Sequence, residues 1–133
     1  ISLSSVYSEF SELNIRAKNY NDAFKFAQKA LNLAEETESK ENQITALRTI
    51  VTALSKLNPE KAISYLNKLI LLAKEKKRDF EAALSYLELA KIFIRLEKIE
   101  KAKKHLKEAE KIFKKIDAIE WFNKVQKLWK EIR

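Results

Sequence analysis

The chain has 133 residues, with 27 Lys+Arg against 19 Asp+Glu, no Gly, no Cys, no Met and one Pro. Without Gly, tight hairpins and Gly-rich phosphate loops are excluded, and without Cys so are disulfides and thiolate metal sites. The formal charge of +8 is uneven. Residues 1–60 carry 7 basic and 8 acidic groups, whereas residues 98–133 carry 12 and 6.

Helical periodicity runs almost throughout, and start signals divide it. The predicted helices are 3–17, 20–37, 40–56, 59–77, 80–96, 99–115 and 118–132. In the first, Val6, Phe10, Leu13 and Ala17 share one face. Ser39 and Asp79 stand at N-cap positions, and Asn58 before Pro59 makes a cap and first-turn pair. Asp117 with Glu120 is read as a capping box for the last helix.

The helices repeat as pairs. "NYNDAFKFAQKAL" from Asn19, "NPEKAISYLNKLI" from Asn58 and "KIEKAKKHLKEAE" from Lys98 place Ala23, Ala62 and Ala102 in one column. The first helices align as Tyr7, Leu47 and Tyr86, then as Phe10, Ile50 and Leu89, and then as Asn14, Leu54 and Phe93. The period is 39–40 residues. Each repeat is a unit that buries its apolar columns only by stacking on neighbours.

This pattern of sizes resembles the tetratricopeptide repeat, most closely in "YLELAKIF" (Tyr86 to Phe93) followed by "IEKAKKHLKEA". The family period is 34 residues, so the chain resembles a longer-period variant. Lys18, Lys56 and Lys98 stand where the family has its turn Gly. The resemblance implies an all-α, right-handed α-solenoid: one domain over 1–133, with repeats at about 3–37, 40–77 and 80–116 and a capping helix at 118–132.

The resemblance also implies a non-catalytic scaffold that binds a protein or peptide in a groove lined by the first helices. The candidate groove residues are Ser8, Glu12, Arg48, Thr52, Ser55, Leu84, Leu87, Lys91 and Ile94. One subclass clamps C-terminal carboxylates with Lys and Asn. The matching slots here hold Ser8, Glu12, Thr49, Leu84 and Glu88, so that activity is not carried over.

Other chemistry is thinly represented. His105 is the only histidine, and its column partners Phe26 and Tyr65 make it a packing residue rather than a base. Glu35, Glu36, Glu38 and Glu41 read as a solvated turn, since they lack the alternating ligands of a calcium loop. No cofactor and no metal is expected. The rival reading is a basic helical domain that binds nucleic acid through Lys104, Lys107, Lys111 and Lys114, but almost no aromatic residue interleaves those lysines. No membrane partner is expected, because no run of 18 apolar residues occurs.

The last helix carries Trp121, Phe122, Val125, Leu128, Trp129 and Ile132, more large apolar residues than one stripe needs. At least one ring is therefore expected to stay partly exposed. Such a surface suits either a further repeat or self-association through the C-terminal helix. With Ile1 in place of Met, the chain is read as a piece of a larger regulatory or assembly protein. Its Lys/Glu-rich balance is thermophile-like and its expected compartment is the cytoplasm.

Overall fold

The computed structural model describes residues 2–132. Among them are seven α-helices, one 3-10 turn and no strand: α1 (Leu3–Arg16), α2 (Tyr20–Glu36), α3 (Lys40–Leu57), the 3-10 turn (Pro59–Lys61), α4 (Ala62–Glu75), α5 (Asp79–Arg95), α6 (Ile99–Lys115) and α7 (Ile119–Ile132). The predicted helix starts and ends differ from these by no more than three residues.

Five of the connections are one device. Lys18, Glu38, Lys77, Glu97 and Asp117 all have φ between 54° and 63°. Around Lys18, its own N–H donates to the Ile15 carbonyl at 3.0 Å and the Asn19 N–H donates to the Asn14 carbonyl at 2.8 Å. This Schellman pattern satisfies the last carbonyls of α1. It recurs with Ser39 on Ala34, Arg78 on Ala73, Lys98 on Phe93 and Ala118 on Phe113. Three sequence-based assignments change as a result. The left-handed residues that replace Gly include Lys18, but the others are Glu38, Lys77, Glu97 and Asp117 rather than Lys56 and Lys98. Arg78, not Asp79, is the N-cap of α5. Asp117 closes α6 in the left-handed region, so it cannot act as the cap of a capping box for α7.

The remaining connection differs because Pro59 cannot donate an N–H. Asn58 is extended, with φ −160°, and the 3-10 turn leads into α4.

The chain divides into two compact units, Ile1–Leu69 and Ile70–Arg133, with the division inside α4. In the first unit, α2 packs on both α1 and α3. Its inner ridge is Ala23, Ala27, Ala30 and Ala34, all fully buried. The facing ridge of α1 is Ser4, Ser8 and Ser11, also buried. Small side chains on both helices let the backbones approach closely. Ser4 Oγ donates to the Ala30 carbonyl at 2.8 Å and Ser11 Oγ to the Ala23 carbonyl at 2.7 Å. On α3, Ile44, Leu47, Ile50 and Leu54 are buried. The face of α1 that carries Val6, Phe10, Leu13 and Ala17 turns outward, with Phe10, Leu13 and Ala17 exposed and Val6 half-buried.

In the second unit, α6 packs on α5 and on α7. One buried cluster joins Ala83, Leu87, Ala90, Leu106, Ala109, Phe113 and Val125. The Trp121 ring stacks on Phe113 at 5.9 Å and meets Phe80 edge-on at 5.8 Å. Val125 is the only described residue of α7 that is fully buried. Trp121, Phe122, Leu128, Trp129 and Ile132 are half-buried, and Ile119 is exposed. The last helix therefore covers the α5–α6 pair and keeps both Trp rings partly open, as the surplus of apolar residues implied. His105 packs against Phe93 at 5.2 Å and Tyr86 at 6.1 Å, which is the packing position read from its column.

Candidate functional site

In the first unit a shallow cleft of about 300 Å³ lies between α1 and α3. Glu12, Ile15 and Arg16 line it from α1, and Thr45, Arg48, Thr49 and Thr52 from α3. Three of the nine predicted groove residues, Glu12, Arg48 and Thr52, thus meet in one concavity. Ile15, Arg16, Thr45 and Thr49 complete the lining. Ile15 and Arg16 lie past the last aligned column of α1, so the repeat alignment gave them no slot.

The local chemistry of α3 decides how this wall presents itself. Thr45 Oγ1 donates to the Glu41 carbonyl at 3.2 Å, Thr49 Oγ1 to Ala46 at 2.9 Å and Thr52 Oγ1 to Arg48 at 2.9 Å. Each hydroxyl proton is spent on its own helix, a common state for Thr within helices. Each hydroxyl oxygen keeps acceptor capacity. The open part of the α3 wall is therefore the acceptor pair Thr45 and Thr52 beside the Arg48 guanidinium, with Thr49 only 5% exposed, and Glu12 and Arg16 supply one charge of each sign from α1. The floor is partly apolar through Ile15. Such a surface suits backbone N–H groups and short apolar side chains rather than a bare phosphate.

The other predicted groove residues do not share this cleft. Ser55 is half-buried, and its Oγ donates to the Thr52 carbonyl at 2.7 Å. Ser8 is buried at the α1–α2 interface, 3% exposed, and Leu87 is 1% exposed within the α5–α6–α7 cluster. Neither offers a surface to a partner. The reason is local: the slot filled by Arg48 on α3 turns toward the cleft, while the same slot on α1 faces the alanine ridge of α2. On α5 it faces Leu106 and Val125. Lys91 is exposed on α5 and pairs with Glu88 at 3.6 Å, and Leu84 and Ile94 are half-buried on the same helix.

A second hollow of about 370 Å³ lies between α6 and α7, lined by Lys107, Glu110, Lys111, Lys114, Phe122 and Gln126. Gln126 Nε2 donates to Glu110 Oε1 at 2.6 Å across it. Among the described residues, no group of three or more His, Asp or Glu could hold a metal ion, and no helix is long and apolar enough to cross a membrane.

Residues 83–116 match the family model of the tetratricopeptide repeat. That segment is the α5–α6 pair. The TPR domain of Arabidopsis FLU is similar in structure, with a TM-score of 0.75 at 18% identity, over 86% of this chain and 95% of that one. Aspartyl phosphate phosphatase F from Bacillus subtilis is similar at a TM-score of 0.85 and 22% identity, over 93% of this chain. The chain spans 33% of that phosphatase. No curated protein matches the sequence. The tetratricopeptide match thus lies in the α5–α6 pair, and the fold class of the chain is all-α, built of helix–turn–helix pairs like those of the two similar structures.

Proposed function

We propose that the chain is a non-catalytic protein-interaction module, one domain over residues 1–133 of a regulatory or assembly protein. It takes an extended peptide segment in the cleft between α1 and α3. The carrying observation is the acceptor pair of Thr45 and Thr52 beside Arg48 in that cleft. An extended strand directs backbone N–H groups to one edge at every second residue, and recognition through the main chain with pockets for alternate side chains is a recurrent mode. Arg48 and Arg16 favour an acidic side chain on the peptide, and Ile15 an apolar one. On α5, Leu84, Lys91 and Ile94 stay candidate contacts. The tetratricopeptide-like fold supports the class of function.

Panning a random peptide library on the purified chain tests this reading. Selected peptides are expected to bind at micromolar Kd and to lose binding roughly tenfold, about 1.4 kcal/mol, with Arg48→Ala. Thr52→Arg, which fills the cleft, is expected to abolish binding, and Lys124→Ala on α7 to leave it intact. Peptides that bind all three variants equally would sink the assignment.

The rival reading is nucleic acid on α6, and the hollow ringed by Lys107, Lys111 and Lys114 supports it. Its mark is salt: phosphate binding over several lysines weakens steeply as salt rises, whereas the cleft's peptide affinity, with one or two charge contacts, is expected to fall only shallowly.

A further inference from the structure

Helix α1 is inverted relative to the usual amphipathic rule: it buries serines and shows its large apolar residues. Leu3 is 57% exposed, Phe10 44% and Leu13 54%. The equivalent slots on the later first helices are closed. Ile50 and Leu89 align with Phe10, and Ala53 and Ile92 with Leu13, and all four are buried. Phe26 of α2 extends the open face, 5.5 Å from Phe10 and 6.2 Å from Tyr7.

The spacing of this face is specific. Leu3, Val6, Phe10, Leu13 and Ala17 fall at steps of three and four, the a and d positions of two heptads. At the level of Tyr7 its two rims carry opposite charges. Glu9 borders it on one side, with Arg16 two turns further along the same rim, both exposed. On the other side Lys29 Nζ sits 5.7 Å from the centre of the Tyr7 ring and 6.0 Å from that of Phe26. Glu9 on one flank and Lys29 on the other, both near the level of Tyr7, are complementary to each other about a two-fold axis along the helix. On the last helix Asn123, Lys127 and Lys130 are exposed opposite Val125, and Ile119, 68% exposed, is the large apolar residue left most open.

We propose that this face closes on the same face of a second copy of the chain. The two α1 helices run parallel in a short a/d seam, with Glu9 of each copy facing Lys29 of the other. Such an interface is isologous, so it stops at a dimer.

Sedimentation velocity on the intact chain over a dilution series tests this. A weak dimer is expected, in roughly the micromolar range typical of small interfaces. Phe10→Lys is expected to weaken it at least about tenfold while the helical melt is kept, since the position is exposed. Glu9→Lys and Lys29→Glu are each expected to weaken it, and the two together to restore it. The chain has no Cys, so Leu3→Cys and Leu13→Cys report orientation: each variant should give a disulfide dimer on its own if the helices are parallel. A monomer at every concentration would overturn the proposal. So would a dimer that survives Phe10→Lys and dissociates with Ile119→Lys, which would place the contact on α7. Single-site crosslinking that fails at both Cys positions would overturn the parallel arrangement and the charge pairing with it.

Discussion

Ser11 Oγ donates to the carbonyl of Ala23 at 2.7 Å, a hydrogen bond between two helices made at a position where neither side chain is large. Ser4 repeats it on Ala30 at 2.8 Å, two turns away. Between them Ser8 is buried in the same ridge, and its Oγ has no hydrogen-bond partner among the described residues. The α1–α2 interface is therefore two satisfied hydroxyls flanking an unsatisfied one.

This arrangement separates the three serines. A buried hydroxyl without a partner costs roughly 1–3 kcal/mol, and Ala keeps the close approach. Ser8→Ala is expected to leave stability unchanged or raise it by up to about 1 kcal/mol. Ser11→Val, which cannot make the bond and adds volume, is expected to lower it by about 1–3 kcal/mol. Urea melts of the two variants read the difference directly.

The alanine column makes a second case. Ala62 is fully buried, like Ala23 and Ala102. Ala62→Leu forces extra methylenes into closed packing and is expected to cost about 1–3 kcal/mol. Thermal melts that coincide with the parent would contradict the equivalence of the three columns.

Phe113 concentrates the packing of the second unit. It is fully buried, stacked on Trp121 and edge-on to Phe80 at 6.0 Å. Phe113→Ala is expected to cost about 3–5 kcal/mol. Trp121 and Trp129 both lie on α7, so the loss should appear as a red shift of the fluorescence before the helical signal melts. Deletion of residues 118–133 is expected to unfold or aggregate the protein, and a soluble, cooperative product would argue against the capping role.

Lys74 gives a prediction in pH. Its hydrogen bond with Tyr86 raises its pKa above the usual 10.5, outweighing a small lowering from burial, with further help from the Tyr86 and Glu108 charges. A raised pKa in the folded state means that the contribution is present below the unfolded value and is lost as pH rises through the folded one. Tyr86→Phe should therefore lower the melting point near neutral pH. The gap from the parent should close at alkaline pH, above 10.5. Parallel melts across that range decide it.

The left-handed turns can be probed one at a time. Lys77 has φ 56°. A β-branched residue there is strained, so Lys77→Val is expected to cost about 1–2 kcal/mol. Lys77→Gly is expected to gain less than about 1 kcal/mol.

The helices were legible because periodicity and column spacing extend over whole segments, where single exceptions do not matter. Ala23, Ala62 and Ala102 were placed in the interior for that reason, and His105 beside aromatic rings likewise. The orientation of α1 was not legible. The wheel shows an apolar face and a serine face, and only the alanine ridge of α2 makes the serine face the one that packs. The same cause misplaced Ser8. Leu87 was misplaced because a slot open on α3 is covered on α5 by Leu106 and Val125. Apart from Lys18, the left-handed residues were missed because Glu38, Lys77 and Glu97 have no turn signature and Asp117 was read as the cap of the next helix, so the geometry shows only in the pairing of carbonyls at each helix end.

The absence of Gly reaches beyond the native state. A glycine at each of the five turns would relieve strain in the folded chain and add disorder to the unfolded one. A Gly-to-non-Gly change narrows the denatured ensemble by about 0.4–1 kcal/mol per site. The two effects nearly cancel. Lys18, Glu38, Lys77, Glu97 and Asp117 can thus hold a backbone shape usually given to glycine while placing five charged side chains at helix ends, with little net change in folding free energy. The denatured chain, stiffened at every junction, begins its search for the native pairs from fewer conformations.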